Sequence, residues 1–382
     1  MSTVATADIK EILKSLSTIM PWLTAKPMLD SLGIITSNGW KPTIEKLSLL
    51  PKSKEYILAE KILSEIFSEH ILFGEKIIRR FSLKGLPPKE ISKFNKLVKK
   101  FCNEFNSPLK SKFYKTYPYP LTDTLTLKKL AGEPHELLSS HNADDKYIFQ
   151  FCTVRSYRER VELDLDQFAG AKKFSQLEQF EEFFGILPTY RQCYDSVVFD
   201  PQKLTIELRL DAPKGMSVEE LYLAVNHLAD QFDSLAQEHF EYTPCSSSPQ
   251  NLYKAIGNLY KASGEGMVYE LGFTASSQST VSNNSGKLLK GRNKDLRLDP
   301  FHLGGKNKVQ DILPYRIGVE WKGSGAITTG TPSLIGNPRL YLPGTARMLN
   351  KPPCEISLAY ITNCITKFDY DFVSEKLDHY LN

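Results

Sequence analysis

Seven cations crowd into one stretch toward the carboxyl end of the chain: Lys287, Lys290, Arg292, Lys294, Arg297, Lys306 and Lys308, against only Asp295 and Asp299. No acidic residue lies between Glu270 and Asp295. The 382-residue chain carries a formal charge of +4, so this stretch holds the whole excess and the remainder is slightly acidic. A local basic run in a balanced protein is the electrostatic footprint of a polyanion, most simply nucleic acid. Lys287, Lys290, Arg292, Lys294, Arg297 and Lys306 are the expected phosphate contacts. Arg292 and Arg297 could also grip a phosphate or a guanine edge through two parallel hydrogen bonds. His302 sits among these cations, close to the glycine pair at 304 and 305, where the backbone can approach a ligand closely. Its imidazole titrates near neutrality, which makes it a candidate general base or phosphate donor.

Two further groupings carry chemistry through resemblance. Asp311, followed by Glu320-Trp321-Lys322 on an expected strand, resembles the metal-dependent nuclease core written PD-(D/E)xK. That resemblance implies Asp311 and Glu320 as ligands of Mg²⁺, with Lys322 assisting an activated water. Residues 26–47 resemble the SAP motif, a helix–extended–helix unit that binds DNA backbone. A short helix ends at Gly33, a polar link carries Thr36, Ser37 and Asn38, and Gly39-Trp-Lys41 opens a second helix. The resemblance implies that Gly33 and Gly39 make the turns and that Lys41 approaches phosphate. Other chemistries are excluded. There is no GxxxxGK[ST] phosphate loop and no GxSxG nucleophile elbow. The run after Gly323-Ser-Gly325 cannot open the helix that a dinucleotide fold needs.

Composition sets the frame around these groups. With 41% apolar and 24% charged residues the chain is ordinary globular material, and its length suits two or three domains. Six cysteines without a CxxC pair read as reduced thiols, and seven scattered histidines offer no zinc spacing. Asp8, Lys10 and Glu11 interrupt the amino-terminal segment, so a signal peptide is not expected, and no apolar run is long enough for a membrane span. The expected setting is the cytoplasm.

The elements that must position these residues follow from periodicity, and the expected class is α+β. Residues 1–115 read as a helical domain: Ala59, Ile62, Leu63, Ile66, Phe67, His70, Ile71 and Ile77 share one helical face. Pro87-Pro88 starts another helix whose lysines at 93, 96, 99 and 100 face solvent. Residues 116–145 form a connector. Over 146–242 the period changes to two. Strands at Tyr147–Val154 and Arg160–Asp166, a helix through Phe174 to Phe184 stopped by Gly185, a hairpin about Asp200–Lys203 and a helix capped by Ser217 give a ββαββα domain. Residues 250–382 are expected to be β-rich, with strands at 267–275, 312–321 and 356–365, a final helix capped by Asp369, and the basic loop 276–308. The leading expectation is a protein that binds nucleic acid through that loop, with metal-dependent nuclease activity subordinate. The alternative is a non-catalytic subunit of a protein complex.

Overall fold

The structure, a computed structural model, describes residues 8–47, 53–106, 108, 110–163, 182–276, 287–291, 294–308, 311–326, 333–350 and 353–382. The chain opens with four helices, α1 (Ile9–Ile19), α2 (Trp22–Ser31), α3 (Trp40–Leu47) and α4 (Lys54–Phe73). Asp8 and Ser53 cap α1 and α4 by accepting backbone N–H groups three residues on. The helical region then breaks where continuity was expected. Gly74 ends α4, and Ile77 lies in a strand, β1 (Lys76–Ser82). Six of the seven β1 residues are buried, so both faces carry bulky groups and the strand shows no alternation to distinguish it from a helix.

Helix α5 (Pro88–Glu104) begins at the proline pair, burying Phe94, Val98 and Cys102 while its lysines stay exposed. The connector contains α6 (Thr124–Leu130) and β2 (Glu136–Ala143). Next come β3 (Lys146–Glu162) and β4 (Phe184–Asp200), paired along sixteen residues, then β5 (Thr205–Leu210). The helix expected before Gly185 falls largely on residues 164–181, outside the described residues. Phe184 and Gly185 themselves belong to β4, Gly185 opposite Val161, so this glycine does not stop a helix. Ser217 and Glu220 form the expected capping box of α7 (Val218–Phe240).

The carboxyl-terminal part adds α8 (Tyr253–Lys261), β6 (Met267–Ser276), β7 (Lys287–Lys290), α9 (Pro300–Lys306), β8 (Asp311–Glu320), β9 (Arg339–Leu342), β10 (Ala359–Thr362) and α10 (Lys367–Leu381). The stretch 276–308 was expected as a loop, yet it carries β7 and α9. Asp369, expected as the cap of α10, is its third residue. Thr366 is the cap, and the buried Asp369 carboxylate accepts the N–H groups of Ile335, Gly336 and Ile365.

The ten strands among the described residues join one antiparallel sheet in the order β2-β3-β4-β5-β1-β10-β9-β8-β6-β7, an α+β architecture. β1 is its keystone, pairing β5 on one side and β10 on the other, so the sheet runs uninterrupted past the boundaries expected near 115 and 250. One face is covered along its length. α1–α4 pack over β3 and β4 through Leu16, Leu63, Phe67, Cys152 and Val154. α8 and α10 pack over the other half through Leu259, Val373, Ile317 and Leu340. The opposite face is covered over half its width, where α5 and α7 bury Phe94, Val225, Leu228 and Phe232 against Phe149, Phe199 and Leu208. Each such side chain contributes roughly 1.5–3 kcal/mol of burial. The α5 and α7 cluster reaches Tyr360 of β10 but includes no described residue of β9, β8 or β6, and at the end of β8 and β9, α2 lines one cavity with Glu320 and Arg339.

Candidate nucleic-acid interface

The basic stretch is pinned to the fold at Arg297 and His302, and its described lysines are exposed. Arg297 is the first pin: it is only 7% exposed and its guanidinium points inward. It donates to the carbonyls of Leu259 (3.0 Å), Ala262, Glu265 (3.1 Å) and Gly266 (2.8 Å) and pairs with Asp295. Those bonds staple residues 295–298 onto the turn between α8 and β6. Arg297 is thus committed within the fold and is not available as a phosphate contact.

Lys287, Lys290, Lys294, Lys306 and Lys308 are all exposed. Lys287 and Lys290 stand on β7, the edge strand of the sheet, and Lys290 lies 3.5 Å from Glu270 on β6. Lys306 ends α9, with its ammonium 5.4 Å from the Tyr260 ring. Phe301, 86% exposed, projects from the start of α9, with Leu298 exposed just before it. Arg292 lies outside the described residues.

His302 does not face solvent. It is 4% exposed, its Nε2 lies 3.0 Å from the Tyr260 hydroxyl, and its ring meets Phe273 edge-on at 5.2 Å. Burial, reinforced by Lys306, pushes its pKa below the ordinary histidine value. Asp299 caps α9 by accepting the His302 N–H at 3.0 Å. His302 anchors α9 to the sheet, its Nε2 engaged by Tyr260 and its ring nearly wholly buried, which does not favour the general-base role expected of it.

The nuclease constellation does not assemble. Asp311 opens β8 and Glu320 closes it, so nine strand steps of ~3.3 Å separate them by about 30 Å. Two carboxylates sharing one Mg²⁺ must each come within ~2.1 Å of it. Glu320 is paired with Arg339 at 2.5 Å, and Lys322 is exposed just beyond the strand. Among the described residues no cluster of three or more His, Cys, Asp or Glu could hold a metal.

Residues 26–47 do form helix, link and helix. Gly33 (φ +71°) and Gly39 (φ +115°) take left-handed conformations that favour glycine, and Lys41 is exposed on α3. The Thr43 hydroxyl closes the link, accepting from Ser37 N (2.9 Å) and donating to Gly39 O (2.7 Å). This unit packs over β3 and β4, far across the sheet from β7, so Lys41 is not brought together with the other lysines.

What the periodicities missed is the sheet face over β9, β8 and β6, beyond the α5 and α7 cluster among the described residues. Leu340 and Leu342 point into the core shared with α8 and α10, so Arg339 and Tyr341 point the other way. The same argument puts Tyr360 of β10 and Arg316, Gly318 and Glu320 of β8 on that side, and a bulge in β6 between core residues Val268 and Leu271 turns both Tyr269 and Glu270 there. Contacts agree: Tyr341 and Tyr360 meet edge-on at 5.5 Å, Arg316 lies over Tyr341 at 5.9 Å, and Arg339 over Tyr269 at 4.8 Å. Gly318 is required here, since a Cβ would come within 2.6 Å of the Tyr269 ring lying across it. Glu270 holds Arg316 at 3.3 Å, and Glu320 holds Arg339. Burial raises the pKa of all three phenols, that of Tyr269 to about 12, so each is neutral at physiological pH. The only signal was Arg-Leu-Tyr-Leu and Ala-Tyr-Ile-Thr alternation in two four-residue strands.

No helix among the described residues is long and apolar enough to cross a membrane. Compared with known proteins, the chain matches no protein-family model and no curated protein sequence.

Proposed function

We propose that this protein binds nucleic acid, holding the phosphate backbone through Lys287, Lys290, Lys294, Lys306 and Lys308. The observation that carries this reading is the exposure of all five lysines within 22 residues that also contain the edge strand β7. Lys287, Lys294 and Lys308 form no ion pair with described residues, so their charge is free to act on a ligand. Each phosphate contact releases counterions, which makes affinity steeply salt-dependent. Phe301 adds an exposed ring among these cations, suited to a base and without use to a bare phosphate.

The test is retention of labelled DNA and RNA by the protein at 50 mM salt, with and without charge reversal at Lys287, Lys290, Lys294 and Lys306. Retention by the natural protein and at least a tenfold loss in the variant are expected. Equal retention by both, or none by either, contradicts the reading. Exposed Leu298, Phe301 and Leu313 favour a second reading, in which this surface docks a protein in a complex. It predicts no nucleic-acid retention even at low salt.

A further inference from the structure

We infer that the nucleic acid is single-stranded and that its bases lie across the sheet face over β9, β8 and β6, outside the α5 and α7 cluster among the described residues. The inference rests on the lysine reading above and adds the surface that distinguishes one strand from two. A face awaiting a protein helix would be expected to carry Leu, Ile and Val, as the covered half does. This one carries Tyr269 and Tyr341, with Tyr360 at its border, interleaved with Arg316 and Arg339. Phenol rings and guanidinium planes are the groups on which unpaired bases stack, and every base has a π-face to offer. A duplex keeps its bases stacked on each other and has none free for such a surface.

The arginines are oriented before any ligand arrives. Glu270 and Glu320 pair with Arg316 and Arg339, which also lie over the Tyr341 and Tyr269 rings. The platform meets the phosphate grip at the sheet edge, where Lys287, opposite Phe273, and Lys306 on α9 stand on the α8 side and Lys290 on the tyrosine side. Lys290 reaches Glu270 on this same face, and β7 follows β6 at the sheet edge. From β9 to β7 are three inter-strand steps of ~4.8 Å, about 14 Å, room for a short run of bases.

The experiment is fluorescence anisotropy at 50 mM salt with a labelled 15-nucleotide oligo(dT), a labelled oligo(U) of equal length and a blunt 15-base-pair duplex. It compares the natural chain, Tyr341→Leu combined with Tyr269→Leu, and Tyr341→Trp. Leucine keeps the bulk and β-compatibility of the site without a ring, and folding of each variant is checked by its thermal transition. The single strands are expected to bind at least tenfold more tightly than the duplex. The double leucine variant loses about tenfold or more on single strands and changes little on the duplex. Tyr341→Trp keeps its affinity, and its indole emission is quenched by single strands alone. Equal binding of single strand and duplex, unaltered by the leucines and without quenching, overturns the platform while leaving the lysine reading in place. Absence of binding by every probe overturns the lysine reading itself.

Discussion

At the scale of single residues, position in the fold decides which cations can act outward. Arg297 and Lys306 belong to the same basic run, but one is buried on four backbone carbonyls and the other ends an exposed helix. Removing the Arg297 guanidinium strands those carbonyls and leaves Asp295 without its partner. Arg297→Ala should therefore cost about 3–5 kcal/mol in urea unfolding, while Lys306→Ala costs less than ~0.5 kcal/mol. Equal stabilities would show that Arg297 is not the staple described. Run charge was legible in the sequence; which member turned inward was not, because Arg297 is fixed by carbonyls from residues 259–266, over thirty positions away. His70 offers a second residue-scale test. It is buried, and burial together with the neighbouring Lys76 lowers its pKa to about 4, outweighing the Ile19 and Ile365 backbone beside its ring. The unfolded chain, with a histidine pKa of ~6.5, takes up a proton that the folded form refuses. Stability is then complete above pH ~6.5 and falls by ~3 kcal/mol as pH drops toward 4. His70→Phe should remove that decline, measured as the unfolding free energy at pH 7 and pH 4.5.

At the scale of elements, β1 and β8 show what short-range pattern could and could not give. The α7 capping box is local, four residues with side-chain and backbone groups exchanging hydrogen bonds, and it was readable directly from Ser217 and Glu220. Ser217→Ala should lower stability by about 1 kcal/mol in the same urea assay. β1 was not readable, because a strand buried on both faces shares its apolar density with the helix before it. β8 was legible as a strand, yet that assignment itself dismantles the proposed metal site: a strand of ten residues holds its ends about 30 Å apart. Millimolar Mg²⁺ should accordingly leave the thermal transition of the free protein unmoved. A clear rise would indicate a cation site that the described residues do not form.

At the scale of the whole molecule, one sheet ties distant segments together, and buried ion pairs lock its central strands. Glu207 of β5 accepts from Arg80 of β1 (2.7 Å), Arg209 (2.7 Å) and the Tyr370 hydroxyl of α10 (2.9 Å). Burial alone would raise the Glu207 pKa, but the two guanidiniums outweigh it and hold the carboxyl far below the usual range. Its stabilisation is therefore present above pH ~4.3 and lost as the medium becomes more acid, a window below that of His70. Among the described residues the α5 and α7 cluster on one face stops short of β9, β8 and β6, and the edge strand β7 bears the exposed Lys287 and Lys290. The most direct test of the central claim is the slope of log affinity against log salt for oligo(dT), measured between 50 and 200 mM. With lysines 287, 290, 294 and 306 neutralised to glutamine, the slope should become shallower by about 3, at ~0.7 for each lost phosphate contact. An unchanged slope would mean that these lysines do not touch the backbone, and the account of this surface would fail.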